Sequence, residues 1–281
     1  MESALYVVAT PIGNLGDMVP RAVEILQSVN VIAAEDTRHS VRLLDHFHIS
    51  TPMVAYHDHS DESRVRQLLT RLQNGESVAL ISDAGTPLVS DPGYRLVREA
   101  RELGIRVVPI PGPSALITAL SASGLPSDRF TFEGFLPAKS GQRINALKIL
   151  ARETRTLIFY EAPHRIEECL LDMAAVFGDQ RRAVVARELT KTFETIHGAP
   201  LAELQAWVAA DSNQRKGEIV VLVRGHEGPA ATETLDPEAE RIMRILLAEL
   251  STKQAANLAA EITGLKKKTL YQWAVSLQDA D

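Results

Sequence analysis

Cysteine is almost absent from this chain, which has one cysteine in 281 residues. A single thiol excludes an internal disulfide and a cysteine-based zinc site. Since Cys169 lies in the apolar run 169–171, we expect it to be buried and unreactive. Long apolar runs are missing too, because no stretch approaches the roughly 20 residues that span a membrane. The first residues show no cleavable leader, and these absences together predict a cytoplasmic protein without a membrane partner.

Several catalytic and nucleotide-binding signatures are absent as well. Gly13 and Gly16 follow the first predicted strand with a spacing that does not fit the dinucleotide fingerprint Gly-x-Gly-x-x-Gly. No Gly-x-x-x-x-Gly-Lys phosphate loop and no Gly-x-Ser-x-Gly elbow occurs. His57 and His59, with Asp61 nearby, have the alternate spacing of metal ligands. A polar loop in which Asp61 or the serine before it caps the next helix is the favoured interpretation, so we predict no metal site.

The overall composition is that of an ordinary soluble globular protein, with 45% hydrophobic and 23% charged residues. At 281 residues the chain is long enough for about two domains. The formal net charge of -6 does not point to a nucleic-acid partner. It does not exclude one, because binding depends on a local basic face rather than on the summed charge.

Apolar runs of strand length alternate with segments of helical spacing, which predicts an α/β fold. The strands are predicted at 5–9, 31–34, 78–81, 107–110, 130–135, 156–160, 183–186 and 218–223, and helices at 19–29, 63–72 and 94–103. Strict alternation predicts a parallel sheet in an N-terminal α/β domain at 1–121. In a second α/β domain, at 122–225, the strand-like segments 184–188 and 191–197 are separated by a short gap, which predicts antiparallel pairing.

A small C-terminal helical domain is predicted at 235–281, after a linker rich in Gly, Pro and small residues at 225–234. Its three helical segments are 238–250, 253–262 and 266–277. Gly264 lies where a turn between two helices needs a glycine. Three lysines then open the last helix: Lys266, Lys267 and Lys268. The pattern is typical of a helix-turn-helix unit that docks on RNA, and equally of a helical cap used for packing or dimer contacts.

The most informative run is Ser-Asp-Ala-Gly-Thr-Pro-Leu-Val-Ser-Asp-Pro-Gly at 82–93, directly after the apolar strand 78–81. Its glycines permit positive φ and close approach of a ligand, and its prolines limit mobility. Because ligands of open α/β sheets bind at the carboxyl ends of the strands, this position favours a binding site. The alternative is an ordinary tight connection between a strand and a helix. We expect the glycine-bearing loop at 10–17 to lie beside this run.

Four further segments place polar groups at strand ends, where charges cost desolvation unless they are partnered or face a cleft. These segments are 35–40, 109–115, 160–165 and 186–190. In the first of them, either Asp36 or Thr37 caps a helix or the whole cluster belongs to a site. In the last, Arg187 and Glu188 form either a salt bridge or contacts to a ligand. The residues alone leave both pairs of interpretations open.

These segments resemble one protein family. The run 82–93 is similar to the signature of the ribosomal RNA small-subunit methyltransferase I group, within the tetrapyrrole methylase (class III) superfamily of S-adenosylmethionine-dependent enzymes. Supporting segments are 8–17, 34–38, 109–115, 159–165, 186–191 and 216–218. The resemblance spans 4–224 in order and shows no departure from the family pattern in these motifs.

The resemblance implies two α/β domains of the tetrapyrrole methylase type with the cofactor, S-adenosylmethionine, in the cleft between them, and usually a homodimer. It implies methylation of the ribose 2′-hydroxyl of a decoding-centre cytidine, cytidine 1402, in the 16S rRNA of the small ribosomal subunit. By motif match, the residues predicted to bind or border the cofactor are Pro11, Gly13, Asp83, Gly85, Thr86, Pro87, Ser114, Ala115, Tyr160, Leu189 and Glu218.

The methyl transfer that the resemblance implies has chemical requirements, and the residues of this chain can be compared with them. A Gly/Pro cleft that is neutral or anionic suits a sulfonium cation better than a phosphate-rich nucleotide. A 2′-hydroxyl is a weak nucleophile that loses its proton as the bond forms, which calls for a general base. The candidates are Asp36, Glu161, His164 and Glu188, and the sequence does not choose among them. The predicted RNA contacts are Arg38, Arg165, Arg187 and Lys191, with Lys266, Lys267 and Lys268 in the C-terminal region.

Two other functions stay open at this level. A member of the same superfamily can methylate a carbon of a tetrapyrrole macrocycle, which needs a roomy and partly apolar cleft. A catalytically inert ribosome-binding factor can also keep the fold without using a cofactor.

Overall fold

The computed structural model describes residues 2–57, 62–227 and 235–278. The chain forms two compact units, Met1–Gly225 and His226–Asp281. Among the described residues, no helix has both the length and the apolar character that a membrane span requires.

The first sheet has five strands and is entirely parallel, as the strict alternation of strands and helices predicts. Its spatial order is β3-β2-β4-β1-β5. The elements are β1 (Leu5–Val8), α1 (Pro20–Ser28), β2 (Val31–Ala34), α2 (Thr37–His46), β3 (Met53–Ala55), α3 (Glu62–Gln73), β4 (Val78–Ile81), α4 (Tyr94–Glu102) and β5 (Val107–Ile110). Every residue of β2 and β4 is buried, because helices cover both faces of the sheet.

The second sheet also has five strands, in the order β6-β7-β10-β8-β9. Only β6 and β7 are parallel, and the other neighbours are antiparallel. The elements are α5 (Ala115–Ser123), β6 (Phe130–Phe135), α6 (Ser140–Leu150), β7 (Thr156–Glu161), α7 (Ile166–Phe177), β8 (Arg182–Arg187), β9 (Thr195–Pro200), α8 (Leu201–Ala210) and β10 (Ile219–Val223). The chain is therefore α/β, with one parallel and one mixed sheet in its first unit.

The antiparallel pairing of β8 with the following strand is confirmed, but the predicted bounds of that strand are wrong. It was expected at 191–197, whereas β9 begins at Thr195, which pairs with Arg187. The cause lies in the seven residues 188–194, which form a compact turn. Glu188 and Thr190 both have positive φ there, a conformation that no strand contains.

Helix α5 links the two sheets. The predicted boundary between residues 121 and 122 falls inside this helix, which packs against strands of the second sheet. Leu116 and Leu120 of α5 share an apolar cluster with Ile12, from the loop after β1, and with Ile158 of β7. The ends of β1 and β7 are thereby held close together within one unit.

The C-terminal unit contains three helices, at the places that the sequence predicts: α9 (Pro237–Glu249), α10 (Thr252–Thr263) and α11 (Lys267–Gln278). Ser251 forms a capping box with Gln254 at the start of α10. Gly264 ends α10 in the left-handed conformation, with φ 73°. Buried alanines and leucines around Met243 and Trp273 form a small core of this unit's own.

Candidate active site

Three loops of the first sheet are tied together at the carboxyl ends of their strands. Thr10 and Gly85 exchange backbone hydrogen bonds of 2.9 and 3.0 Å, which joins the loops after β1 and β4. The Thr10 hydroxyl donates to the carbonyl of Ser82 at 3.3 Å. The Thr86 hydroxyl donates to the carbonyl of Pro113 at 3.0 Å, which adds the loop after β5. The predicted proximity of the loops at 10–17 and 82–93 is thus confirmed.

Backbone strain is concentrated in two loops. Five non-glycine residues among those described have positive φ, and four of them lie at 82–93 and 188–194: Leu88, Ser90, Glu188 and Thr190. Each such residue costs on the order of 1–3 kcal/mol and persists only where its surroundings over-determine it. Strain of this kind is typical of ligand-binding sites, so the two loops are natural candidates for the functional surface.

Both strained loops border one cavity of about 360 Å³. Its walls come from both sheets, from the loop after β1 and from the start of α5. The lining residues are Ile12, Ala84, Gly85, Thr86, Val89, Ser90, Asp91, Ser114, Ala115, Phe135, Tyr160, Glu161, Ala162, Pro163, Leu189, Gly217, Glu218, Ile219 and Val220. All the charged residues in this set are acidic, so the cavity suits a cation better than an anion.

Tyr160 forms the wall at the end of β7. Its hydroxyl oxygen accepts a hydrogen bond from the backbone N–H of Leu116 at 3.2 Å. Burial raises the pKa of Tyr160 to about 12, and the carboxylates of Asp91 and Glu218 act in the same direction. The phenol is therefore neutral at physiological pH. Its ring meets the ring of Phe135 edge-on, with centroids 5.7 Å apart.

One rim of the cavity carries a three-residue ion network. The Lys191 ammonium donates to Glu188 at 2.9 Å and to Glu218 at 3.1 Å. Burial alone disfavours the charged forms of both Lys191 and Glu188. Their mutual hydrogen bond, their opposite charges and hydrogen bonds involving Glu218 together outweigh burial, so the pKa of Lys191 is raised and that of Glu188 is lowered. Gly217 is required beneath this network, because its φ is +78° and a β-carbon there would overlap the Glu188 carboxylate.

Two of the predicted phosphate contacts have structural roles: Arg187 is buried, and Arg165 is half-buried. The Arg187 guanidinium donates to the carbonyl of Lys216 at 3.3 Å and to that of Phe193 at 3.1 Å. Arg165 donates to the carbonyl of Leu136 at 2.6 Å and lies 3.2 Å from a carboxylate oxygen of Glu161. The side chains of Arg165 and Arg187 stabilise the chain's own loops, so the structure does not present them to a phosphate. For Arg187, neither of the two interpretations left open by the sequence describes what is observed.

The other predicted cations are placed differently. Arg38 is 91% exposed and pairs with Asp36 at 3.1 Å. Lys191 is partly exposed and engaged by two glutamates. The C-terminal lysines are exposed where α11 begins: Lys266, Lys267 and Lys268. Arg38 and the three C-terminal lysines keep their predicted role in RNA binding as a proposal, whereas the charge of Lys191 is taken up by Glu188 and Glu218.

Seven of the eleven residues predicted to contact the cofactor line the cavity: Gly85, Thr86, Ser114, Ala115, Tyr160, Leu189 and Glu218. The other four lie outside its lining: Pro11, Gly13, Asp83 and Pro87. Asp83 instead supports its own sheet edge, where its carboxylate accepts from the backbone N–H of Asp36 at 3.0 Å.

The four candidate bases are not brought together. Glu161 belongs to the cavity lining, but its side chain is buried and is held by Arg165 and by the N–H of Ala162. His164 is exposed and lines a different depression, with Arg215. Asp36 caps α2 as one of the two interpretations predicted, and hydrogen bonds from Arg38 lower its pKa. Glu188 lies at the cavity rim in the network with Lys191.

Motif reading missed several lining residues. Asp91 lies inside the quoted run 82–93 but was not singled out as a contact. Phe135 belongs to a strand without a polar motif, and Gly217 precedes the predicted residue Glu218. Strand-end position was the available signal for Phe135, since β6 ends there beside β7.

A metal centre is not found in the part of the chain that the structure describes, where no group of three or more His, Cys, Asp or Glu side chains could hold an ion. The expected helix cap at Ser60 or Asp61, and His59 with them, lie outside the described residues. Cys169 is buried as expected, and burial raises the pKa of its thiol.

Two known family models together match most of the chain. Residues 4–205 match the family model of tetrapyrrole (corrin/porphyrin) methylases, and residues 233–278 match a model described as the RsmI C-terminal HTH domain. The latter favours the helix-turn-helix interpretation of α10 and α11.

Two curated relatives are similar over nearly their whole length, and both are named ribosomal RNA small subunit methyltransferase I. The protein from Pseudomonas aeruginosa is 62% identical over 274 residues, covering 98% of this chain and 97% of the relative. The protein from Escherichia coli O157:H7 is 58% identical over 277 residues, covering 99% of this chain and 96% of the relative.

Solved structures share the fold at low sequence identity. Diphthine synthase superposes with a TM-score of 0.61 at 16% identity, over 78% of this chain and 89% of that one. The cobalt precorrin-4 methyltransferase CbiF superposes with a TM-score of 0.58 at 16% identity, over 79% and 95%. The backbone architecture is therefore that of the tetrapyrrole methylases.

Proposed function

This chain belongs to the tetrapyrrole methylase family, in its ribosomal RNA small subunit methyltransferase I group, and on that premise we propose that it transfers a methyl group from S-adenosylmethionine to a ribose 2′-hydroxyl of 16S rRNA. The target is a cytidine of the decoding region. The observation that carries the proposal is the acidic cavity between the two sheets, at the loops whose motifs resemble the family.

The cavity residues fit a sulfonium donor. The volume of about 360 Å³ lies within the usual range of small-molecule sites. Asp91 and Glu218 supply negative charge for the donor's cationic groups, while Ile12, Leu189 and Val220 supply apolar surface. Gly85 brings its backbone to the wall with φ +84°, and a β-carbon there would lie 3.3 Å from Ile12. The residues that line the cavity therefore match a compact cation with an apolar body.

S-adenosylmethionine supplies an electrophilic methyl group on a positively charged sulfur. The chain's contribution is to position the donor and the ribose hydroxyl and to exclude water, which is worth several kcal/mol when the reacting atoms are held in line. The rigid loops described above suit that role, because their hydrogen bonds link all three strand ends. Tyr160, with its raised pKa, stays protonated and does not act as a base at neutral pH.

We propose that one of two carboxylates is the general base that accepts the proton of the 2′-hydroxyl. The carboxylate of Glu161 is buried and paired with Arg165, and His164 lines a separate depression, so Asp36 and Glu188 are the remaining proposals. Both carboxylates are ionised at neutral pH because hydrogen bonds lower their pKa values. A base of this kind accepts the proton late, as the oxygen–carbon bond forms.

RNA contacts are proposed at exposed cations. Arg38 stands at the sheet edge near the cofactor loops, and Lys266, Lys267 and Lys268 open α11. Arg38 and the lysines are expected to meet phosphates, which position the RNA without reading its bases. We further propose that the substrate is the small ribosomal subunit, that the enzyme acts in the cytoplasm and that the active form is a homodimer.

The test uses small subunits from cells that lack this protein. The purified full-length chain is incubated with those subunits and isotopically labelled donor, and the RNA is digested and mapped by mass spectrometry. One labelled ribose in the decoding region is expected. Label on a base, label elsewhere, or no label would contradict the proposal. A parallel reaction with porphyrinoid precursors tests the tetrapyrrole alternative, which methylation of those precursors would favour. If calorimetry detects no binding of S-adenosylmethionine, the inert binding factor is favoured instead.

A further inference from the structure

The conformation of the turn at 188–194 is fixed by hydrogen bonds, including one from a buried arginine below it. Arg187 is buried at the end of β8, and its guanidinium donates to the carbonyl oxygen of Phe193 at 3.1 Å. The N–H of Thr190 donates to the Glu194 carboxylate at 2.7 Å. With Glu188 and Thr190 in the left-handed region, the turn has one well-defined backbone course. A buried arginine thus stabilises the conformation of a seven-residue surface turn.

The outermost side chain of this rigid turn is an aromatic ring. Phe193 is 71% exposed, although its own carbonyl oxygen is held by Arg187. Four residues earlier, Leu189 lines the cavity, and Lys191 between them pairs with Glu218 of the cavity wall. The ring therefore stands on the same short element as the cavity rim, and the intramolecular packing leaves most of it uncovered.

The charges around Phe193 indicate which part of a nucleic acid can approach it. Glu188, Glu194 and Glu218 lie on or beside the turn, whereas Lys191 is already shared by two of them. These three carboxylates outnumber Lys191 and the buried Arg187, which disfavours the approach of a phosphate. The acidic surrounding accepts a base, because carboxylates pair with exocyclic amino groups such as that of cytosine. An exposed aromatic ring offers a base a stacking face.

We propose that Phe193 stacks on an unpaired RNA base at the mouth of the cavity and so positions the nucleotide whose ribose is methylated. The inference rests on the proposed function and adds a residue for substrate recognition. Stacking needs the flat π-face rather than apolar volume alone, since every base presents a π-face of its own. Phe193 touches substrate in this assignment and has no role in binding the methyl donor.

The experiment compares Phe193→Ala, Phe193→Leu and Phe193→Trp with the wild-type chain on small subunits lacking the modification. Ile149→Ala is the matched control, because Ile149 is 85% exposed and lies on α6, away from the turn. For each protein, kcat and KM for the subunit are measured, donor affinity is measured by calorimetry, and oligomeric state by sedimentation. Loss of one stacked base corresponds to about a 5- to 150-fold effect.

The alanine and leucine variants are expected to lose about 5- to 150-fold in kcat/KM for the subunit, mainly through KM, with donor affinity and oligomeric state unchanged. The tryptophan variant is expected to retain activity. The inference would be overturned by any of three results. These are a leucine variant as active as wild type, an alanine variant whose kcat/KM is within twofold of wild type, and a change in oligomeric state that accounts for the loss of activity. A wild-type chain that leaves the RNA unmethylated would instead remove the proposed function, and the inference with it.

Discussion

The side chain of Lys191 lies against Gly13 so closely that a β-carbon on the glycine would overlap Cγ of the lysine. Gly13 follows the first strand of the parallel sheet, and Lys191 belongs to the turn between β8 and β9. The contact therefore joins the loop expected to border the methyl donor to the rim of the cavity. It also explains why the sequence has a glycine at 13 although this glycine does not line the cavity.

Replacing Gly13 by alanine should displace Lys191 and weaken its hydrogen bonds to Glu188 and Glu218. We expect kcat/KM for methyl transfer to fall roughly 10- to 100-fold, since a misplacement of about 1 Å can cost on the order of 100-fold. Gly141→Ala is the control, because a β-carbon there meets no atom within 4 Å. Equal activities of the two variants would show that the contact does not position the rim.

Arg187→Met should destabilise the first unit by roughly 1–3 kcal/mol, because the carbonyls of Lys216 and Phe193 lose their buried donor. The loss should appear in urea unfolding, together with faster amide exchange in the turn 188–194. If Arg187 served mainly as a phosphate contact, stability would be unchanged and only the salt dependence of RNA binding would fall.

The fully buried Arg143 has its close carboxylate partner in Asp172, at 2.7 Å, while the exposed Glu168 lies 3.6 Å away. Burial opposes the charge of Arg143, but the hydrogen bond to Asp172 and the charge of that carboxylate, with smaller contributions from other groups, together raise the arginine's pKa. Asp172→Ala should therefore cost on the order of 3–5 kcal/mol, because it leaves a buried charge with only the exposed Glu168, 3.6 Å away, as a carboxylate partner. The double variant Arg143→Met with Asp172→Ala should cost less than that single change.

Unfolding of this unit can be followed by the fluorescence of Trp207, which packs on its core, in a Trp273→Phe background. The background change removes the signal of the C-terminal unit. A double variant at least as unstable as Asp172→Ala would contradict the explanation by a buried charge that has lost its close partner.

Glu153 should make stability depend on acid. Hydrogen bonds from Arg155 lower the pKa of Glu153 from 4.5 to about 2. Because the folded-state pKa is the lower one, the stabilisation is complete above pH 4.5 and is lost as pH falls through about 2. Glu153→Gln should therefore lower the urea midpoint at pH 7 and do so less at pH 3. Glu102→Gln, at a longer surface pair of 3.6 Å, should show a smaller effect at both pH values.

Local patterns predicted the architecture well and the site only in part. Buried strands such as Val78–Ile81 are short continuous apolar runs, and helices such as α10 carry their own caps, so both are readable from neighbouring residues. The three-residue strand β3 was missed, because Met53–Ala55 is too short to show a period. The start of β9 was misplaced because the turn before it is held by Arg187 from another strand.

The same division holds for the cavity. Residues in the Gly/Pro loops, such as Gly85 and Thr86, were found because the local backbone there is unusual. The structural roles of Arg165 and Arg187 were not foreseeable, because they depend on carbonyls contributed by distant parts of the chain. Phe135 reaches the cavity because β6 pairs with β7, and the only sequence signal for this was its position at the end of a predicted strand.

The central claim is that the acidic cavity between the two sheets binds S-adenosylmethionine. Calorimetry of the donor against wild type, Ala115→Trp and Ala209→Trp tests it most directly. Ala115 lines the cavity at the start of α5, whereas Ala209 is exposed on α8. The wild-type chain and the Ala209 variant should bind alike, and filling the cavity at Ala115 should weaken binding roughly 100-fold or more, about 2.7 kcal/mol. Undiminished binding by a folded Ala115→Trp variant, or no binding by wild type, would contradict the claim.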